Sequence, residues 1–152
     1  MPASGERTVL VVDDDPAMLL LCRANLGESG LRVNEATNAS EALESVRLDK
    51  PDVILLDIMM PGVSGWQVAA QLLGDEATDE IPIIFLTALS GTKQQLRAYE
   101  LGAVGYVTKP FDPATLGSTV VAVLDQIERG ERSSLIAENL DALRGEIQAP
   151  DP

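Results

Sequence analysis

The sequence predicts an α/β fold: one doubly wound parallel five-stranded sheet with helices on both faces, followed by a C-terminal helical extension. Three observations carry this reading. Strand-like and helix-like segments alternate five times over the first 127 residues. Segments 52–57 and 81–87 are built on the continuous apolar runs Val53 to Leu56 and Ile83 to Leu86, as expected of central strands covered on both faces. Four apolar runs each deliver a reactive polar group at their C-terminal end: Asp13, Asp14 and Asp15 after Val12, Asp57 after Leu56, Thr87 after Leu86, and Lys109 after Thr108. Strict βα alternation implies right-handed crossovers, which place all those ends on one edge of the sheet. Ligands of open α/β sheets bind in the crevice beyond that edge.

The strands read at 8–13, 31–36, 52–57, 81–87 and 104–108, each rich in Val, Ile or Leu. Helical patterns lie between and after them at 16–28, 39–49, 64–73, 91–101 and 113–127. Pro16 and Pro113 stand at first-turn positions behind Asp15 and Asp112, which read as N-caps. Gly30, Gly74 and Gly102 follow helix ends, where a positive φ is useful. In the first helix, a turn of 100° per residue puts Met18, Leu21, Cys22 and Asn25 on one face and leaves Leu20 pointing away, an exposed leucine beside the strand ends.

The tail differs. Residues 129–132 read as a short polar hinge, after which Ser133 or Ser134 can cap a sixth helix with the stripe Ile136, Leu140, Leu143 and Ile147. Ala149 to Pro152 reads as an end without further structure. The chain therefore divides into a domain over 1–128 and a hinge with an amphipathic helical tail over 129–152. That stripe is compatible with packing on the domain, with homodimerisation or with the start of a linker.

Composition narrows the function. A chain of 152 residues with 45% apolar and 23% charged residues fits one soluble domain. The excess of 24 acids over 11 bases argues against direct nucleic-acid binding, which demands clustered Lys and Arg. Residues 128–152, with six acids against three bases, argue the same way for the tail. No apolar stretch approaches the roughly 18 residues of a membrane span. Glu6 and Arg7 stand where a signal peptide needs an apolar core. A single cysteine, Cys22, precludes an internal disulfide and fits a cytoplasmic protein. Histidine is absent, so the chain cannot phosphorylate itself on histidine or use imidazole as a base.

The gathered polar groups point to a divalent cation and a phosphoryl group. Carboxylates as close as Asp13, Asp14 and Asp57 repel one another and call for a cation between them. All-oxygen ligation suits magnesium or manganese. Lys109 can neutralise a carboxylate before reaction and a phosphoryl oxygen afterwards, and Thr87 offers a hydroxyl donor. Asp15, directly before Pro16, reads as a cap and not a ligand. The Lys109–Pro110 bond is open to the cis form.

The runs Val11 to Pro16, Leu55 to Gly62, Leu86 to Ala88 and Gly105 to Phe111 resemble the receiver domain of bacterial two-component response regulators, over residues 7–127. The resemblance implies a flavodoxin-like (βα)5 fold in which Asp57 accepts a phosphoryl group from a partner's phosphohistidine. The partner would be a sensor histidine kinase or a histidine phosphotransferase. It further implies that Asp14, Asp57 and the Met59 carbonyl bind Mg²⁺ directly, with Asp13 helping through water. Lys109 would hold the phosphoryl group, Thr87 would move toward it, and Tyr106 would swing inward, altering the surface read by an unknown downstream protein. Met59 and Leu89, two residues beyond Asp57 and Thr87, stand where the family tunes loss of the phosphoryl group. Both are apolar and neither can orient an attacking water, so the phosphorylated state is expected to be long-lived. The rival reading is a magnesium-dependent phosphatase with Asp13 as nucleophile in an Asp13-x-Asp15 pair. Pro16-Ala17 and Pro110-Phe111 do not fit its pattern.

Overall fold

The computed structural model describes residues 6–148. Elements follow in the order β1 (Thr8–Val12), α1 (Pro16–Glu28), β2 (Arg32–Ala36), α2 (Ala39–Leu48), β3 (Val53–Leu56), α3 (Gly65–Leu73), β4 (Ile83–Thr87), α4 (Thr92–Leu101), β5 (Gly105–Thr108), α5 (Pro113–Glu128) and α6 (Arg132–Gln148). One sheet in the order β2-β1-β3-β4-β5 pairs every neighbour in parallel.

Strand alternation splits the core into two layers. Leu10, Val12, Ile54, Leu56, Ile83 and Phe85 face α2, α3 and the Ala98 side of α4. Val9, Val11, Val53, Leu55, Ile84 and Leu86 face α1 and α5. These side chains are almost wholly buried, and each contributes about 1.5–3 kcal/mol of apolar transfer. The central strands therefore fix the sheet edge on which the polar residues stand.

Helix starts follow their caps. The Asp15 carboxylate accepts from the Ala17 N–H and the Asp112 carboxylate from the Ala114 N–H, each ahead of proline. Ser64 and Gln67 form a reciprocal capping box at α3. α4 is the exception: Gly91 precedes it at φ 113° and supplies no side-chain cap.

Three local expectations change. Gly74 leaves α3 at φ −88°, because the chain continues through a turn in which the Thr78 N–H bonds to Asp75 O; Gly30 and Gly102 do take positive φ. The buried face of α1 is Leu19, Cys22 and Leu26, with Met18, Leu21 and Asn25 only half-buried beside it, while Leu20 is exposed. α6 begins at Arg132, ahead of both serines, because Gly130 (φ 77°) reverses the chain and the Arg132 guanidinium donates to Glu80 O. Ala149 to Pro152 lie outside the described residues.

α6 lies along α4 and also touches α5. Its start bonds to Glu80, ahead of β4, and its end bonds to Thr92, the first residue of α4, so it runs antiparallel to α4. Leu143 is buried and Leu135 and Ile136 reach the α1/α5 core layer, whereas Ile147 stays exposed.

Candidate functional site

The sheet order reverses between β1 and β3, and the residues that follow those strands are Asp13 and Asp57. Backbone pairing continues one residue beyond the strands and fixes them: Asp13 N–H donates to Ala36 O, Asp57 N–H to Val12 O, and Lys109 N–H to Thr87 O. The carboxylates of Asp13, Asp14 and Asp57 each offer an oxygen within 4.8 Å of the others, a group able to hold a metal ion. Asp13 and Asp57 are buried and Asp14 is exposed.

Lys109 closes this cluster. Its Nζ lies 2.6 Å from Asp13 Oδ2 and 3.3 Å from Asp57 Oδ2. The other oxygens are held by backbone: Asp15 N–H donates to Asp13 Oδ1 and Met59 N–H to Asp57 Oδ1. Both Asp13 oxygens are thus engaged, while Asp14 faces solvent. Burial pushes the Asp13 carboxyl up and the nearby charge of Asp57 adds to this; the Lys109 and Asp15 bonds only partly offset them. For Lys109, burial opposes the charged form, but the bond to Asp13 and the charges of Asp13 and Asp57 outweigh it and hold its pKa above the usual value. The Lys109–Pro110 peptide is cis.

Thr87 and Tyr106 do not contact the carboxylates through hydrogen bonds among the described residues. Both grip Leu89 instead: Leu89 N–H donates to Thr87 Oγ1, and the Tyr106 hydroxyl donates to Leu89 O. The half-buried Tyr106 ring lies 6.2 Å from Phe85, and Phe85 lies 5.0 Å from Trp66. The Met59 side chain is 58% exposed at the cluster's rim.

Sequence reasoning missed Gly65 and the backbone of Leu89. A Cβ at Gly65 would lie 2.2 Å from Asp57 O and 2.7 Å from Ile58 Cα, so α3 begins in direct contact with the peptide that carries Asp57. The only sequence signal was a glycine immediately after the Ser64 cap, which by itself says nothing about close approach.

With this geometry in view, the comparisons with known proteins agree. The response regulator receiver domain model matches residues 9–121, and the chain belongs to that family, whose members have a phosphoaccepting role in two-component signalling. The chain is 38% identical over 130 residues to the phosphate regulon transcriptional regulatory protein PhoB of Pseudomonas aeruginosa, covering 86% of this chain and 57% of that protein. It is 39% identical over 116 residues to protein PilH of the same organism, covering 76% of this chain and 96% of PilH. The BeF3-activated DrrB receiver domain superposes with a TM-score of 0.70 at 32% identity, over 79% of this chain and 98% of that one. The chain spans little more than half of several curated relatives, including 55% of RpaA of Synechocystis. No helix among the described residues is long and apolar enough to cross a membrane.

Proposed function

We propose that Asp57 is the phosphoacceptor of this receiver. A carboxylate oxygen of Asp57 attacks the phosphorus of a phosphohistidine, the new O–P bond forms as the P–N bond breaks, and the electron pair leaves with the imidazole. The observation that carries this is the Lys109 ammonium bridging Asp13 and Asp57 at one sheet edge. It is positioned to transfer its charge from the carboxylates to a phosphoryl oxygen. Phosphoryl transfer needs this positioning and charge neutralisation more than covalent help.

The donor set is all oxygen and fits Mg²⁺, with Mn²⁺ as a substitute. Asp14, Asp57 and the Met59 carbonyl would hold the ion directly. Asp13 would act through water, with Lys109 held on its Oδ2 at 2.6 Å. Bound there, the ion supplies charge neutralisation for the transferring group. Thr87 and Tyr106 serve as the switch, through Leu89.

The chain holds no histidine, so the donor is a phosphohistidine outside residues 1–152, on a sensor kinase or phosphotransferase in the cytoplasm. Residues 1–128 form the receiver and 129–152 a regulatory tail. These residues engage a protein partner and do not bind nucleic acid directly, given their net charge of −13. The test is incubation with a small phosphodonor and Mg²⁺. One acid-stable, base-labile phosphoryl group per chain is expected, and it disappears in Asp57→Asn. Phosphodonor turnover that survives Asp57→Asn overturns the assignment in favour of a phosphatase.

A further inference from the structure

We propose that α6 is a latch on α4, held closed by Glu146 at the start of α4 and opened when the Asp57 site is occupied. The inference rests on the phosphoacceptor reading above and adds a response element specific to this chain.

The hold is unusual in its electrostatics. α4 has no side-chain cap, since Gly91 occupies that position. The first-turn hydroxyl of Thr92 instead donates to Glu146 Oε2 of α6 at 3.1 Å. A carboxylate there complements the dipole of α4, whereas in the last turn of α6 it opposes that helix's own dipole. No basic residue in the last turn of α6 compensates. Glu146 is therefore favourably placed only while α6 lies on α4.

The rest of the α6 contact is made mainly by half-buried side chains, Leu135, Ile136, Asn139 and Leu140. Of its 17 residues, Leu143 is the one described as buried, and Ile147 is 49% exposed. Leu143 and the buried Tyr99 of α4 belong to neither core layer of the sheet, and they lie on the two helices that pack together. Gly145 faces open space and weakens the final turns. Most of a helix's stability in a protein comes from tertiary packing of its apolar face, so α6 depends on its docking. Low local stability is the property expected of a moving element.

The route from the site is short. Leu89 carries the hydrogen bonds of both Thr87 and Tyr106, and it lies three residues before Thr92. A Thr87 hydroxyl drawn toward a phosphoryl group must release the Leu89 N–H. The segment 89–91 then shifts, and among the described residues the Glu146 bond is the one side-chain hydrogen bond to the first turn of α4.

Hydrogen exchange on the full chain tests this, with and without Mg²⁺ and beryllofluoride, while ¹⁹F resonances report binding. With the mimic bound, amides of 133–147 are expected to exchange about tenfold faster, with α1 unchanged. Without it, Glu146→Gln is expected to speed α6 exchange about threefold and Gly145→Ala to slow it. A bound ¹⁹F signal with α6 exchange unchanged or slower refutes the latch and leaves the phosphoacceptor reading intact. Basal exchange unaltered in Glu146→Gln refutes the Glu146 hold. Absence of a bound ¹⁹F signal in the wild-type chain refutes the phosphoacceptor reading and the latch with it.

Discussion

Asp57→Asn is expected to stabilise the metal-free protein and to abolish most of its stabilisation by Mg²⁺. Asp57 and Asp13 present oxygens within 4.8 Å of each other. At an effective dielectric of about 20, such a pair repels by roughly 3.5 kcal/mol. Lys109, at 3.3 Å from Asp57, attracts it by roughly 5 kcal/mol on the same scale. Asp14 adds further repulsion, reduced by its exposure, and burying the Asp57 charge costs several kcal/mol more. The repulsions and the burial cost together exceed the Lys109 attraction, so a neutral amide of the same shape should gain about 1–2 kcal/mol in the absence of a cation. With Mg²⁺ at 100 times its dissociation constant, the wild type gains about 2.7 kcal/mol. Asn, a poorer ligand, should gain less than half of that, so its advantage in chelator shrinks by more than about 1.3 kcal/mol in Mg²⁺. Urea unfolding followed by Trp66 fluorescence, in chelator and in Mg²⁺, measures all four values. A loss of more than about 1 kcal/mol for Asp57→Asn in chelator, or equal Mg²⁺ increments in both proteins, would refute the charge balance.

Lys109→Met leaves Asp13 buried without its counter-ion, so it should lose about 3–5 kcal/mol in chelator and recover part of this in Mg²⁺ in the same urea assay. Gly65→Ala drives a Cβ into the Asp57 carbonyl; a loss of about 1–3 kcal/mol and slower phosphorylation by a small phosphodonor are expected. Met59→Asn changes an exposed side chain and should leave urea stability within about 0.5 kcal/mol, while speeding dephosphorylation about tenfold by orienting water. Burial pushes the Cys22 thiol up to about 12. The folded state therefore keeps its proton after the unfolded chain loses it. This group's contribution to stability is full below about pH 9 and falls by about 1.4 kcal/mol per pH unit until the folded thiol ionises near 12. Cys22→Ala should remove that increment from the alkaline slope of urea stability.

The strand ends were legible because one physical rule, parallel strands with right-handed crossovers, sends every C-terminal end to the same edge. Asp13, Asp57 and Lys109 needed no further information to be brought together. Caps at Asp15 and Asp112 are local, each bonding an N–H two residues on, and local chemistry survives in sequence. What failed depended on distant partners. The buried face of α1 turned out to be Leu19, Cys22 and Leu26, because α1 packs against α5 as well as the sheet, and the periodic pattern alone leaves the face open by a residue. The start of α6 was displaced by Glu80, 52 residues away from Arg132. Glu146 and Thr92 are 54 residues apart, and neither carries a motif. Thr87 was read as a donor to a phosphoryl group, yet its present partner is the Leu89 backbone, which no side-chain pattern could announce.

These contacts also locate the softest part of the site. Asp13, Asp57 and Lys109 are anchored by backbone hydrogen bonds to neighbouring strands, and the helices that follow β1, β3 and β5 start with satisfied caps. A cap contributes about 1 kcal/mol to holding a helix start in place. The segment after β4 lacks that restraint: Gly91 gives no cap, and Leu89 is gripped by two side chains. A change of charge at Asp57 therefore meets three stiff strand ends and one compliant one. The response must pass through Thr87 and Leu89 into α4, and α6 rests on that helix.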